Sequence, residues 1–225
     1  MLATARLAKL SAPRTSNWVV RARLHRQLDE AVQRGVVWLA AGPGAGKTTL
    51  AACWAATRGD RTLWYRADEG DRDPAAVFEY FGELARGRRR APDVPSYQPQ
   101  DQQRLGAFAR NFFRAFFAAI PAAATLIVDD AHAAAGGDFD NLLAAAVREA
   151  PPDVSFLILS RHEPSGALLD EVARGAVQLL DDPALDFSAD EAVELLGGRL
   201  DRTVAQGVQA QTGGWVAGML LLAGH

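Results

Sequence analysis

The sequence predicts an α/β protein with a three-layer P-loop NTPase fold. A central parallel sheet of five strands is expected, followed by a small helical subdomain. Three observations carry this prediction. Short runs that are apolar at every position alternate with longer helical segments. The first of these runs passes through a glycine-rich turn straight into a helix. After Asp181-Asp182-Pro183 the strand signal stops and only helical signals follow.

The five strands are expected at Val36–Ala40, Thr62–Tyr65, Thr125–Val128, Val154–Leu159 and, more weakly, Ala176–Leu180. Runs apolar on both faces suit the interior of a parallel sheet, and right-handed crossovers join its strands. Two of the intervening helices are well delimited. Lys47–Thr57 places Leu50, Cys53, Trp54 and Thr57 on one face. Gln103–Ile120 does the same for Leu105, Phe108, Phe112 and Phe116, and its five phenylalanines, Phe113 and Phe117 included, read as core. Arg86 to Gln103, rich in Arg, Pro and Gln, is expected to be an exposed loop, and the basic run Arg86, Arg88, Arg89, Arg90 a solvated part of it. Ser188-Ala189-Asp190-Glu191 is a capping box opening a helix through Leu196. Further helices are expected at Thr203–Gln211 and, after Gly213-Gly214, at Trp215–Ala223. The expected division is a leading segment and helix over 1–34, a nucleotide-binding domain over 35–182, and the beginning of a helical subdomain over 183–225 of a longer protein.

Composition narrows the function. The 225 residues are 49% hydrophobic and 23% charged, with net charge −3. A chain devoted to neutralising nucleic-acid phosphates carries an excess of basic residues, which is absent here. One cysteine, Cys53, excludes a disulfide framework and a multi-cysteine zinc site, and reads as a small buried hydrophobe. No apolar run reaches the roughly 18 residues of a membrane span. Arg6 and Lys9 interrupt the apolar stretch of the N-terminus, so no secretory core is expected and a reducing cytoplasm is the expected location.

The strongest chemical signal is Gly42-Pro43-Gly44-Ala45-Gly46-Lys47-Thr48-Thr49, between the first strand and a helix. The usual phosphate-binding motif opens with glycine; Ala41 stands there instead. The glycines let backbone N–H groups turn toward an anion, and the helix N-terminus adds its positive dipole. Lys47 is expected to reach the β- and γ-phosphates, and Thr48 to ligate Mg²⁺. Leu126-Ile127-Val128-Asp129-Asp130 has the Walker B form, the end of the four-residue strand Thr125–Val128 and then acids. Asp129 is expected to hold Mg²⁺ through a water and Asp130 to act as general base on the attacking water. Arg161, at the tip of the fourth strand, is a candidate γ-phosphate sensor. His132 is either structural or a relay from these acids, and Asp68 and Asp71 either solubilise a loop or approach the γ-phosphate side.

Taken in order, these residues resemble the STAND class of P-loop ATPases. More narrowly they resemble the ATPase module of the large LuxR-type transcriptional regulators, the group of the maltose-regulon activator. The resemblance runs from about Lys9 to Ala223. It rests on Lys9-Leu10-Ser11-Ala12-Pro13 with Val19 to Leu24, on the phosphate loop, and on Trp64 to Asp71. Val128-Asp129-Asp130-Ala131-His132, Ser160-Arg161, Leu185 to Ser188 and Gly213 to Gly218 complete the series. It implies that Val20 and Arg21 lie near an adenine, that ATP or ADP binds with Mg²⁺, and that hydrolysis is slow and resets a switch. It further implies winged-helix, helical-repeat sensor and DNA-binding helix-turn-helix domains elsewhere in the full-length protein, and self-association on activation. No direct DNA binding is expected of these residues themselves. Ala67 replaces a leucine of the family pattern. Val216 replaces its proline, which weakens the expectation that the helical subdomain locks ADP through that residue. An ADP-holding interaction platform without significant hydrolysis is the alternative. A metabolic kinase is disfavoured by the Asp129-Asp130 pair, and a GTPase by the lack of an Asn-Lys-x-Asp motif.

Overall fold

A computed structural model describes residues 7–14, 18–86, 94–180 and 185–224. The basic run beyond Arg86 and the Asp181-Asp182-Pro183 boundary lie outside the described residues.

Among the described residues five strands, β1 (Val36–Ala40), β2 (Thr62–Arg66), β3 (Thr125–Asp129), β4 (Ser155–Ser160) and β5 (Val177–Leu180), form one sheet in the order β2-β3-β4-β1-β5. Every pairing is parallel. The three inner strands β1, β3 and β4 are buried nearly throughout, as apolar runs on both faces require, while the edge strands β2 and β5 are covered less completely. Because β4 lies between β1 and β3, the phosphate loop after β1 and the acids ending β3 open onto the same carboxyl edge of the sheet. That edge is where ligands bind in open α/β sheets.

Helices cover both faces: α1 (Ala22–Val32), α2 (Lys47–Ala56), α3 (Pro74–Arg86), α4 (Leu105–Ala119), α5 (Gly137–Glu149) and α6 (Ala167–Ala173). The phenylalanines of α4 are core, as expected. Phe112, Phe113 and Phe116 are almost fully buried and meet Phe78 and Phe81 of α3 edge-on or tilted at centroid distances of 4.8–6.3 Å. The other face packs α1 and α2 against Val37, Leu39, Ile127 and Leu157. Here the one-sided reading of Lys47–Thr57 needs correction: Leu50, Ala51, Ala52, Cys53, Trp54 and Ala55 are all buried, so α2 is enclosed on every side. The expected loop from Arg86 to Gln103 is also corrected in part. Pro99–Arg104 is a 3₁₀ helix, capped where the Asp101 carboxylate accepts from the Gln98 amide, and it runs directly into α4.

The remaining helices are α7 (Ala189–Leu196), α8 (Arg202–Thr212) and α9 (Val216–Ala223). Ser188 caps α7 and Glu191 returns the bond to the Ser188 amide, the capping box anticipated from sequence. These helices share a small core of Phe187, Ala192, Leu196, Ala205 and Met219. Gly214 has φ +86, and a Cβ there would lie 2.7 Å from the Phe187 carbonyl oxygen, so only glycine lets the chain enter α9 along this path. Among the described residues no helix is long and apolar enough to cross a membrane.

Candidate nucleotide site

The loop from Ala41 to Gly46 joins β1 to α2. Ala41 explains its own departure from the glycine pattern. It is buried, and its amide donates to the Ser160 carbonyl at 3.2 Å, so it extends the strand pairing and its methyl fills core. Gly44 (φ +72) and Gly46 (φ +87) occupy the left-handed region that side chains disfavour. Gly46 is the N-cap of α2, whose first-turn N–H groups point into the loop. Lys47 Nζ donates to the carbonyls of Ala41 at 2.5 Å and Gly42 at 2.9 Å, which holds the ammonium over the loop.

Thr48 and Asp129 are brought together across the sheet edge: the threonine hydroxyl donates to Asp129 Oδ1 at 2.9 Å. Asp129 is buried, and its Oδ2 has no hydrogen-bond partner. Burial, and then the charge of Asp130, raise its pKa above the ordinary carboxylate value, while the Thr48 bond opposes them. An unsatisfied buried acceptor costs on the order of 1–3 kcal/mol, and more when charged. A threonine hydroxyl beside such an oxygen is the donor set a hard divalent cation takes when phosphates and waters complete its shell. The residues present therefore fit Mg²⁺.

Asp130 has left-handed backbone (φ 54, ψ 32), and its carboxylate receives Arg66 Nε at 3.0 Å. Arg66 ends β2 in register with Asp129. Arg66 and Asp130 line a polar cavity of about 460 Å³ with Arg161, His132, Lys9 and Asp68. Arg161 is exposed at the end of β4 and faces this cavity. His132 Nδ1 is buried without a partner; burial, and then the nearby Arg161, lower its pKa. Asp71 has a structural task instead. Fully buried, it accepts the Tyr65 hydroxyl at 2.7 Å and pairs with Lys9 at 2.8 Å, and Lys9 also takes Asp68 at 2.5 Å. The leading segment is thereby fastened to β2.

Against the loop itself, at Gly44, Gly46 and Thr49, lies an apolar cavity of about 300 Å³. Trp18, Val19 and Arg21 of the leading segment, Cys53 of α2, and Phe187, Val216 and Leu220 of the helical region all reach its wall. Val19 takes the wall position here, while Val20 is 58% exposed and absent from the lining. Arg21 is on the wall, but its donors are committed: Nε meets Glu191 at 3.2 Å, Nη2 meets the Asp186 carbonyl at 2.7 Å, and the guanidinium lies 4.0 Å over the Phe187 ring. Arg23 binds the same Glu191 at 3.0 Å. Sequence reasoning missed Glu191 as the anchor for both arginines, and missed His25, a wall residue whose Nε2 is buried without a partner. The capping-box signal at Glu191 was its only trace.

The start of α9 sits directly on the phosphate loop. The Ala217 amide donates to the Gly44 carbonyl at 3.2 Å, and Trp215 Nε1 donates to the Pro43 carbonyl at 3.1 Å. A Cβ at Gly44 would come within 2.6 Å of the Ala217 Cβ, and one at Gly46 within 3.3 Å of Val216. Val216, standing where the family pattern has proline, thus packs over the loop and onto the apolar cavity.

The chain is similar to MalT-type regulators over almost its whole length. It is 26% identical to the HTH-type transcriptional regulator MalT of Cronobacter sakazakii, with 96% of this chain and 25% of the relative covered. The MalT proteins of Yersinia pestis and Yersinia pseudotuberculosis are 28% identical over the same shares. The chain spans about a quarter of the length of these curated relatives. No protein-family model matches it. The resemblance read from the ordered motifs is therefore shared by whole-chain similarity, on a parallel-sheet fold of the P-loop type.

Proposed function

We propose that this chain is the adenine-nucleotide switch of a larger cytoplasmic transcriptional regulator, binding ATP or ADP with Mg²⁺ and hydrolysing ATP slowly. The observation that carries this reading is the shared use of one loop. The glycine turn that presents its N–H groups and Lys47 to phosphates also carries α9 on its Pro43 and Gly44 carbonyls. Phosphates entering the loop and helices leaving it are then mechanically linked.

In this reading the apolar cavity takes the base. Its wall has no carboxylate or amide side chain among the described residues, so the paired donors of a guanine edge would find no such partner. Gly42 to Thr49 hold the phosphates, with Lys47 at the β- and γ-positions. Thr48 and Asp129 would hold Mg²⁺, which when bound neutralises charge on the phosphate oxygens. Asp130 takes a proton from the attacking water as its oxygen bonds to the γ-phosphorus and the bond to ADP breaks. Arg161 faces the developing charge from β4. Winged-helix, sensor and DNA-binding domains of the full-length protein would read the position of the helical region, and self-association would follow activation.

The test is to denature the purified protein and identify the released nucleotide, then to follow proteolysis of residues 185–224 with ATP and with ADP. Adenine nucleotide and different protection in the two states are expected. Failure to find or bind any nucleotide overturns the reading. One observation favours the second reading, an ADP-holding platform: Asp130, the base, is ion-paired with Arg66. ADP that co-purifies, with no turnover on prolonged incubation with ATP, would establish it.

A further inference from the structure

The geometry points to Arg66 as a positioning residue that withholds Asp130 from catalysis, so that slow turnover is built into the end of β2. This inference rests on the ATPase reading of the site. A general base must offer an oxygen to water and accept its proton. Here Arg66 Nε donates to Asp130 Oδ2 at 3.0 Å, so one of the two oxygens the base could offer to water is occupied, at the edge of the polar cavity that both residues line. The backbone gives Asp130 little latitude to escape. It sits in the left-handed region, and its own N–H is tied to Asp129 Oδ1 at 3.0 Å.

Arg66 reaches this acid because parallel pairing sets it beside Asp129 at the sheet edge. The nearby Asp68 and Asp71 are already taken by Lys9. Arg161 brings a separate cation to the same cavity, so Arg66 is not needed to supply one. The Arg66 side chain is 61% exposed. The pair can part into solvent without stranding a buried charge, which is what a reversible restraint needs.

The decisive experiment measures steady-state ATP hydrolysis and fluorescent-ATP binding for wild type, Arg66→Ala, Arg66→Lys, and each with Asp130→Asn. Arg66→Ala is expected to raise kcat about tenfold, a part of the 10²–10⁴ a positioned base contributes, with KM unchanged. Arg66→Lys, which keeps a cation at the position, should stay near wild type, and Asp130→Asn should abolish turnover in every background. Unchanged or lower kcat in Arg66→Ala overturns the proposal, as does equal elevation in Arg66→Lys. If none of the proteins hydrolyses ATP yet all bind it, the proposal falls while nucleotide binding stands. If none binds it, the reading of the site falls too.

Discussion

The two cavities at the carboxyl edge of the sheet are built by different means. The polar one is assembled from strand ends, Arg66 of β2, Asp130 after β3 and Arg161 after β4, held by sheet register and exposed ion pairs. The apolar one draws Trp18, Cys53, Phe187 and Leu220 from distant parts of the chain, and its wall includes the helices that rest on the loop. The first takes Lys9 from the leading segment but nothing from α7–α9. The second exists only while α7–α9 and the leading segment stay docked.

The sharpest way to break both sides at once is Lys47→Ala. It removes the cation common to any phosphate pose and should weaken ATP and ADP binding about 100-fold, the ~3 kcal/mol upper range for a charged hydrogen bond, by fluorescence titration. Gly44→Val should separate the sides. A β-branched residue at φ +72, its Cβ 2.6 Å from that of Ala217, adds strain of about 1–3 kcal/mol and should lift α9 from the loop. A lower melting temperature and faster proteolysis of residues 185–224 are expected, with the Arg66–Asp130 edge unaffected in hydrogen exchange.

Acid should sharpen the contrast. Burial pushes the Glu191 pKa up, but hydrogen bonds from Arg23 and the Ser188 amide, with the Arg21 charge, outweigh it and leave the value lowered. A depressed folded pKa means the stabilisation is present above the unfolded value, ~4.3, and is lost as pH falls through the folded value. Melting temperature should drop on acidification below that range, and Glu191→Gln should flatten the drop. The smallest effect is expected from Trp215→Phe. It deletes one half-exposed bond to the Pro43 carbonyl and should cost roughly 0.5–1 kcal/mol in thermal unfolding, with ATP hydrolysis unchanged.

What was legible in the sequence follows the same division. The strands and the phosphate loop are local signals: runs such as Val36–Leu39 or Leu126–Val128, and glycines at 44 and 46, carry their meaning without neighbours. Asp129 and Thr48 were readable because the motif spacing implies their meeting. α5 was not delimited, since it opens on two positive-φ glycines and buries Leu142 to Val147 continuously, which erases any single-face period. α6, with 7 residues, is too short to show one. The Arg66–Asp130 pair spans 64 residues and needs the β2–β3 adjacency. The choice of Val19 over Val20 as the wall residue needs the turn of the leading segment, which no pattern in those residues announces.

The two hydrogen bonds by which α9 grips the Pro43 and Gly44 carbonyls have a consequence for energetics. Coupling free energy is symmetric between ligands. Whatever factor by which a bound nucleotide strengthens or weakens the seating of α9, the seated helix must alter nucleotide affinity by that same factor. If nucleotide tightens that seating, a partner that pulls on α9 would lower nucleotide affinity and a partner that presses it down would raise it, with no contact to the phosphates in either case.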